Sequence, residues 1–245
     1  MKILGIESSS LVASAALVTD HMLTAEYTVN FKKTHSQTLL PMIDEVVRMI
    51  ELDLNSIDAI AVSGGPGSFT GLRIGSATAK GLGLALKKPL IHVPTVDAMA
   101  YNMWGYDGLV CPIMDARRYQ VYTGIYRFPK KDTASSMGGM ETVKAQCPMD
   151  MEELARELNQ LGERTVFLGD GVPVCQPIIE ETLVIPYEFA PAHMNRQRAG
   201  AVAALGAIYY ENGMVETAAE HRPDYLRKSQ AEREREGNTL KGDAV

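Results

Sequence analysis

The clearest pattern near the start of the chain is an alternation of apolar and polar residues over positions 23–31. Apolar side chains stand at every second position, which is the period of a half-buried strand. They are Leu23, Ala25, Tyr27, Val29 and Phe31. Short apolar runs at 2–7 and 11–19 predict two further strands before this one. We therefore expect the chain to open with three strands.

Residues 36–52, SQTLLPMIDEVVRMIEL, carry apolar side chains at the three- and four-residue spacing of a helix. These side chains are Leu39, Ile43, Val46, Val47 and Ile50. Ser36 and Thr38 are candidates for the N-cap because their hydroxyls can accept from free backbone N–H groups, and Pro41 is tolerable only near the start of the helix. Further apolar residues widen the face enough for the helix to bury two of its sides. They are Leu40, Met42 and Met49.

The remaining elements repeat one order along the chain. The first half continues with a strand at 58–63, a glycine-rich turn, a helix to about residue 86, a strand at 89–93 and a helix at 95–104. The second half has strands at 109–114, 119–128 and 141–147, a helix at 151–161, a strand at 165–168 and a helix at 198–210. A duplicated β-β-β-α-β-α unit predicts the α/β class and a two-lobed actin-like (ribonuclease H-like) fold, whose mixed sheets face a cleft.

This repeat also predicts the domain organisation. We place the two lobes at 1–106 and 107–228. The polar and charged tail at 229–245 is expected to be frayed or disordered, because it has too few apolar residues to bury.

Composition limits the function classes. A net charge of −6 argues against strong, salt-dependent binding of a polyanion by this chain alone, so a nucleic-acid role would be indirect or local. The three cysteines, Cys111, Cys147 and Cys175, form no C-x-x-C motif, which argues against a disulfide framework and a zinc site. Neither a secretory signal nor a membrane-spanning run is recognisable, so we expect a soluble, cytoplasmic protein.

The glycine-rich stretch GGPGSFTGLRIG, residues 64–75, matches neither common phosphate-binding motif. A Walker A loop needs Gly-Lys-Ser/Thr where this chain has Gly71-Leu72-Arg73, and a Rossmann fingerprint needs glycine where it has Thr70. A tight strand-to-helix turn and an anion-holding helix N-terminus both remain possible.

Small residues recur every four positions along the helix that follows, at Gly67, Gly71, Gly75, Ala79 and Gly83. Because each glycine inside a helix costs roughly 0.5 to 1 kcal/mol, we expect this face to pack closely against a second helix or another chain.

Candidate chemistry is sparse. In an actin-like ATPase the first turn of each lobe approaches the nucleotide phosphates, and here those turns begin at Glu7-Ser8-Ser9 and Asp115. Glu7 and Asp115 could hold magnesium, although we favour turns that have kept their shape and lost catalysis. The five histidines form no H-x-x-x-H pair and no G-x-S-x-G elbow occurs, so we expect no metal site and no nucleophilic serine. Arg73 in the first turn of its helix opposes the dipole and either serves an acidic partner or is solvated.

Four segments together resemble the TsaB (YeaZ) family of the actin-like superfamily. They are ILGIESS at 3–9, VSGGPGSFTGLRIGSATAKGLG at 62–83, MDARR at 114–118 and PDYLRKSQAE at 223–232. The resemblance implies a role in forming N6-threonylcarbamoyladenosine in tRNAs that read codons beginning with adenine. It also implies a non-catalytic chain that forms a heterodimer with the transferase TsaD and is joined by the ATPase TsaE. ATP and metal would be used by the partner complex, tRNA would be met only indirectly, and this chain would need no cofactor.

The same resemblance implies that helices 36–52 and 70–86 form the shared interface, with the glycine face approaching a helix of TsaD. The predicted interface residues are Leu39, Ile43, Val46, Val47, Ile50, Gly67, Gly71, Arg73, Gly75, Ala79 and Gly83. Exposed apolar helices would also permit a homodimer when the partner is absent. Two alternatives stay open: a phosphotransferase or ATPase of the same fold that uses Glu7 and Asp115, and a metallopeptidase.

Overall fold

The structure is a computed structural model that describes residues 1–129 and 139–226. Its first sheet has five strands in the order β3-β2-β1-β4-β5. The strands are β1 (Lys2–Glu7), β2 (Val12–Thr19), β3 (Met22–Asn30), β4 (Ala59–Gly65) and β5 (Leu90–Pro94). Neighbours β1, β2 and β3 pair antiparallel, whereas β1, β4 and β5 pair parallel. Two helices of this lobe are α1 (His35–Met49) and α2 (Phe69–Leu86), and a short 3₁₀ turn spans Leu54–Ser56.

The second sheet repeats the first, with the strand order β10-β9-β6-β7-β8. Its strands are β6 (Leu109–Asp115), β7 (Gln120–Arg127), β8 (Glu141–Asp150), β9 (Thr165–Leu168) and β10 (Tyr187–Phe189). The antiparallel and parallel pairings occur in the same places as in the first sheet. Its helices are α4 (Met151–Leu161) and α5 (Val172–Thr182). Two mixed sheets of identical topology confirm the predicted duplicated α/β fold.

Two helices join the lobes, α3 (Thr95–Tyr101) and α6 (Ala199–Glu211). Helix α3 touches β6 and β7 of the second sheet, and α6 packs on β1, β2, β4 and β5 of the first. Small residues allow α6 to lie close: a Cβ on Gly206 would be 2.6 Å from the Cβ of Ala61. Side chains of both sheets and both helices therefore share one core, and α6 belongs by packing to the first sheet although it follows the second in sequence.

Several local predictions differ from the structure. The apolar face expected to be half-buried on the edge strand β3 is only partly covered. Ala25 and Val29 are half-buried against the core of the first lobe, whereas Leu23, Tyr27 and Phe31 are exposed. The N-cap of α1 is Thr34, which makes no side-chain cap bond, and Ser36 and Thr38 lie inside the helix. Among the side chains expected to bury a second side of α1, Met42 is buried but Leu40 and Met49 are exposed. Helix α5 and strand β10 were not predicted.

The segment after α6 returns across the first lobe. Leu90 and Glu216 exchange backbone hydrogen bonds of 2.9 Å each, and the Asp224 N–H donates to the Gly64 carbonyl over 2.6 Å. The Lys80 ammonium donates to the His221 carbonyl over 3.0 Å. Residues 216–226, which we call the C-terminal strap, are thus held against β4, α2 and β5. The tail predicted to fray, 229–245, lies outside the described residues. No described helix combines the length and hydropathy needed to cross a membrane.

Candidate functional site

The turn after β1 is held tightly by its own lobe. The Ser8 hydroxyl donates to the Gly71 carbonyl over 2.9 Å, and the Ser68 N–H donates to the Ser9 carbonyl over 2.6 Å. The ring of His35 hydrogen-bonds through Nε2 to the Ser10 carbonyl at 2.7 Å. Since Ser8 and Ser9 are fully buried, this turn is fixed to the N-terminal ends of α1 and α2.

Glu7 precedes this turn as the last residue of β1 and is only 1% exposed. Its carboxylate accepts the Ser9 N–H over 2.5 Å. Burial raises the pKa of Glu7 to about 7, while hydrogen bonds from Ser9 and Ser63 oppose the rise and the nearby Asp170 adds to it. Glu7 therefore titrates near neutral pH, but its carboxylate is directed into the lobe, where it caps a backbone amide.

The corresponding turn of the second lobe follows β6. The Asp115 carboxylate accepts the Arg117 N–H over 2.7 Å. Arg117, Arg118 and Tyr119 all have left-handed backbone conformations, with φ of 72°, 57° and 58°. Three successive non-glycine residues in this region are unusual, and the Asp115 side chain contributes to holding them.

Asp170 is a cleft residue that sequence reasoning missed. It follows β9 between Gly169 and Gly171, and burial raises the pKa of its carboxyl, opposed by backbone amides and by the Arg196 guanidinium. A Cβ on Gly169 would lie 2.1 Å from the Ile113 carbonyl oxygen, so glycine is required for the approach to β6. The Gly-Asp-Gly sequence directly after a strand was the signal that could have identified this position.

A cleft of about 470 Å³ lies between the two turns. Its ionisable lining includes three carboxylates and one guanidinium, from Asp115, Asp170, Asp224 and Arg117. The excess of negative charge opposes binding of a polyphosphate without additional cations. Among the residues that the structure describes, the cleft carboxylates do not come close enough to form a group of three metal ligands.

The C-terminal strap occupies one side of this cleft. Tyr225 and Leu226 line it, and the Tyr225 ring packs on Phe69 with centroids 4.6 Å apart. The Arg73 guanidinium lies 4.0 Å from the Phe69 ring centroid. This predicted interface residue is exposed, but it stacks on a side chain of its own helix. Phe69 thus contacts both the strap and α2.

The small-residue face of α2 packs inside this chain, which corrects the expectation that it meets a partner. A Cβ on Gly71 would lie 2.1 Å from the Ser8 carbonyl oxygen, and one on Gly75 would lie 2.2 Å from the Ser8 hydroxyl oxygen. The other members contact the serine turn or the core of the first lobe. Gly67 faces Ser9, Gly83 faces Leu90, and Ala79 is fully buried. The glycines therefore allow α2 to lie directly on the turn after β1.

The predicted apolar interface residues of α1 also need correction. Leu39, Ile43 and Val46 are buried in the core of the first lobe, because this side of α1 faces the sheet. Val47 and Ile50 are half-buried. That α1 and α2 form a partner interface stays a prediction. The predicted interface now lies on the sides of these helices that point away from the sheet.

The outward sides of α1 and α2 carry small and aliphatic residues. Leu40 is 56% exposed and Leu84 is 68% exposed. Ala77, Gly81 and Ala85 are also exposed, and nothing lies within 4 Å of a Cβ placed on Gly81. We call these residues, with the half-buried Val47, the outer helical face. A separate groove of about 750 Å³ between β3 and α1 is lined by other side chains, including Tyr27, Phe31 and Met49.

Comparison with known proteins gives one consistent family. A model of the family described as "TsaD: tRNA N6-adenosine threonylcarbamoyltransferase" matches residues 26–235. A protein of Bacillus subtilis (strain 168) named "tRNA threonylcarbamoyladenosine biosynthesis protein TsaB" is 32% identical over 234 residues, covering 95% of this chain and 96% of that protein. The Escherichia coli (strain K12) protein of the same name is 34% identical over 173 residues, covering 70% of this chain and 72% of its own length.

A solved structure agrees with the fold. The structure titled "YeaZ from Pseudomonas aeruginosa" superposes with a TM-score of 0.76 and 24% identity, covering 92% of this chain and 99% of that chain. A second structure, described as having similarity to peptidase YEAZ from the same organism, has the same TM-score at 23% identity. At these identities the likeness supports the two-lobed fold alone.

Proposed function

The chain belongs to the TsaB family of tRNA threonylcarbamoyladenosine biosynthesis proteins, and from this premise we propose that it is a non-catalytic subunit that pairs with the transferase TsaD. In this proposal the pair, joined by the ATPase TsaE, forms N6-threonylcarbamoyladenosine in tRNAs that read codons beginning with adenine. Catalytic metal and ATP belong to the partner complex, and tRNA is met through that complex.

The contents and the charge of the inter-lobe cleft are the observation that supports a non-catalytic role for this chain. The chain's own Tyr225 packs into it on Phe69, and its ionisable lining is mainly acidic. Glu7 is not among the residues that line the cleft, because its carboxylate is buried and accepts the Ser9 N–H. These features favour a structural role for the turn after β1, which stabilises the first lobe, over a role in binding phosphates.

The outer helical face supports the partner part of the proposal. Leu40 and Leu84 place aliphatic side chains in solvent, and nothing lies within 4 Å of a Cβ placed on Gly81. Small residues permit close approach of another helix, and large exposed apolar side chains gain free energy when covered. TsaD would therefore contact the side of α1 and α2 that points away from the first sheet.

Reconstitution tests this function. Threonylcarbamoyl transfer to tRNA is measured with TsaD, TsaE, ATP and threonylcarbamoyl-adenylate, with this chain present or omitted. We expect product only when the chain is present, and equal product with the Glu7→Gln/Asp115→Asn double variant, provided that variant is folded. Product without the chain, or none with the folded double variant, would contradict the proposal.

Glu7 favours a second candidate function, a phosphotransferase or ATPase of the same fold. A carboxyl whose pKa is about 7 is suited to general acid–base work at neutral pH. Magnesium-dependent ATP turnover by the isolated chain, abolished by Asp115→Asn, would establish this candidate. No turnover above a buffer control would exclude it.

A further inference from the structure

Three potential metal ligands meet where the C-terminal strap crosses β5. They are His92 on β5 and Glu216 and His221 on the strap, and one ligand atom from each lies within 4.8 Å of the other two. A fourth group is close, since the Asp224 carboxylate lies 3.2 Å from His92 Nε2. This cluster lies on the first lobe and shares Asp224 with the lining of the inter-lobe cleft.

His221 supplies the observation that distinguishes this cluster from an ordinary ion pair. Its side chain is fully buried, and Nδ1 lies 2.6 Å from a carboxylate oxygen of Glu216. The other ring nitrogen, Nε2, is buried and has no hydrogen-bond partner. A buried polar nitrogen without a partner is costly. When Nδ1–H donates to Glu216, Nε2 presents a lone pair, which is the usual carboxylate–histidine–metal arrangement.

His92 is held in place by its surroundings. Its ring lies directly on Gly64, where a Cβ would be 2.1 Å from Cε1, so this glycine makes room for the imidazole. The rings of His92 and His221 are 5.8 Å apart between centroids. Both imidazoles are therefore held close enough to each other to share one ion.

We propose that His92 and His221, with the carboxylate of Asp224 beside His92 as a third ligand and Glu216 orienting the His221 ring, bind a divalent transition-metal ion of the zinc type that fastens the C-terminal strap to the first lobe. Imidazole and carboxylate ligands suit this class of ion. Ligand atoms around a tetrahedral zinc, with bonds of about 2.0–2.1 Å, are about 3.3 Å apart, so small side-chain rotations must draw the present ligands closer. The ion would offset the charge of two neighbouring carboxylates.

Such an ion would act on the strap rather than on a reaction. Asp224 directly precedes Tyr225, which packs into the inter-lobe cleft. A metal held by His92 and the strap would therefore also stabilise Tyr225 on Phe69. No H-x-x-x-H pair marks this site in the sequence, because His92 and His221 are more than 100 residues apart along the chain.

Calorimetric titration of ZnCl₂ into the purified, chelator-treated full chain tests the proposal. We expect one equivalent of zinc to bind the unaltered protein and no stoichiometric binding by His92→Ala or His221→Ala. Glu216→Gln should weaken binding by about 10–100-fold, because Glu216 orients the His221 ring. His193→Ala is the matched control: His193 is exposed and lies outside the cluster, so this variant should bind as the unaltered chain does.

Two further measurements keep the test decisive. Thermal unfolding of each variant without metal checks folding; if His221→Ala does not fold, His92→Ala decides, because the His92 side chain is 24% exposed. The absorption spectrum of the Co²⁺-loaded chain distinguishes imidazole and carboxylate ligation from thiolate ligation by Cys111, Cys147 or Cys175. Absent or non-stoichiometric zinc binding, thiolate bands, or unchanged affinity in folded His92→Ala would overturn the proposal.

Discussion

The hydroxyl oxygen of Ser8 lies 2.2 Å from the position that a Cβ on Gly75 would occupy. The same hydroxyl donates to the Gly71 carbonyl over 2.9 Å. Ser8 and two glycines of α2 therefore fit together at a distance that no larger residue permits. This contact explains why α2 tolerates glycines inside a helix: they place it against the turn after β1.

Gly75→Ala should destabilise the folded chain by about 1–3 kcal/mol, because the added methyl group overpacks the Ser8 contact. Chemical denaturation measures the change in the free energy of unfolding. The matched control is Gly81→Ala in the same helix, where nothing lies within 4 Å of the new methyl group. This control should stabilise the chain by about 0.5–1 kcal/mol through helix propensity. Equal effects of the two substitutions would contradict the packing described for α2.

The buried Glu7 should make stability fall as the pH rises from about 4.5 to about 7. Burial raises the pKa of Glu7 from 4.5 to about 7, so in this range the folded state binds more protons than the unfolded state. The stabilisation is complete below the unfolded pKa and is lost as the pH rises through the folded pKa, by on the order of 3 kcal/mol. In Glu7→Gln this part of the pH dependence should disappear, as measured by denaturation at several pH values. The same slope in the variant and the unaltered chain would show that other groups cause it.

Tyr225→Ala should loosen the C-terminal strap without unfolding the lobes. The ring contact with Phe69 is worth about 0.5–1.5 kcal/mol beyond its buried area. The adjacent Asp224 N–H donates to the Gly64 carbonyl. Loosening of the strap should therefore lower the protection of the Asp224 amide from hydrogen exchange by up to about tenfold. Tyr225→Phe keeps the ring and should retain the protection. If Tyr225→Ala leaves the exchange of the Asp224 amide unchanged, the ring does not hold the strap.

Local patterns in the sequence predicted most of the fold. The apolar spacing in 36–52 and the alternation in 23–31 identified α1 and β3, and α4 and β9 have the predicted bounds. Helix α5 was missed because Pro173 and Pro177 interrupt its pattern, and β10 is only three residues long. Periodicity shows which residues share a face, but it does not show what that face packs against.

The candidate site was less predictable for the same physical reason. The four-residue spacing in α2 correctly indicated close approach, but the neighbour is Ser8 of the same chain, brought there by the pairing of β1 and β4. Likewise, nothing in the local sequence joins His92 to His221, since all five strands of the second sheet lie between them along the chain. Contacts between distant segments require the tertiary structure.

The affinity of this chain for TsaD, measured by calorimetry with Leu40→Glu and Leu84→Glu variants, tests whether the chain docks on TsaD through its first-lobe helices. Both substitutions place a carboxylate on the outer helical face, and each should weaken binding by at least about tenfold, or about 1.4 kcal/mol. Val184→Glu is the matched control, since Val184 is 85% exposed and lies on the second lobe. It should bind TsaD as tightly as the unaltered chain. Unchanged affinity in both helical variants, or no measurable binding by the unaltered chain, would contradict the account of this protein as a subunit that acts by docking its first-lobe helices on TsaD.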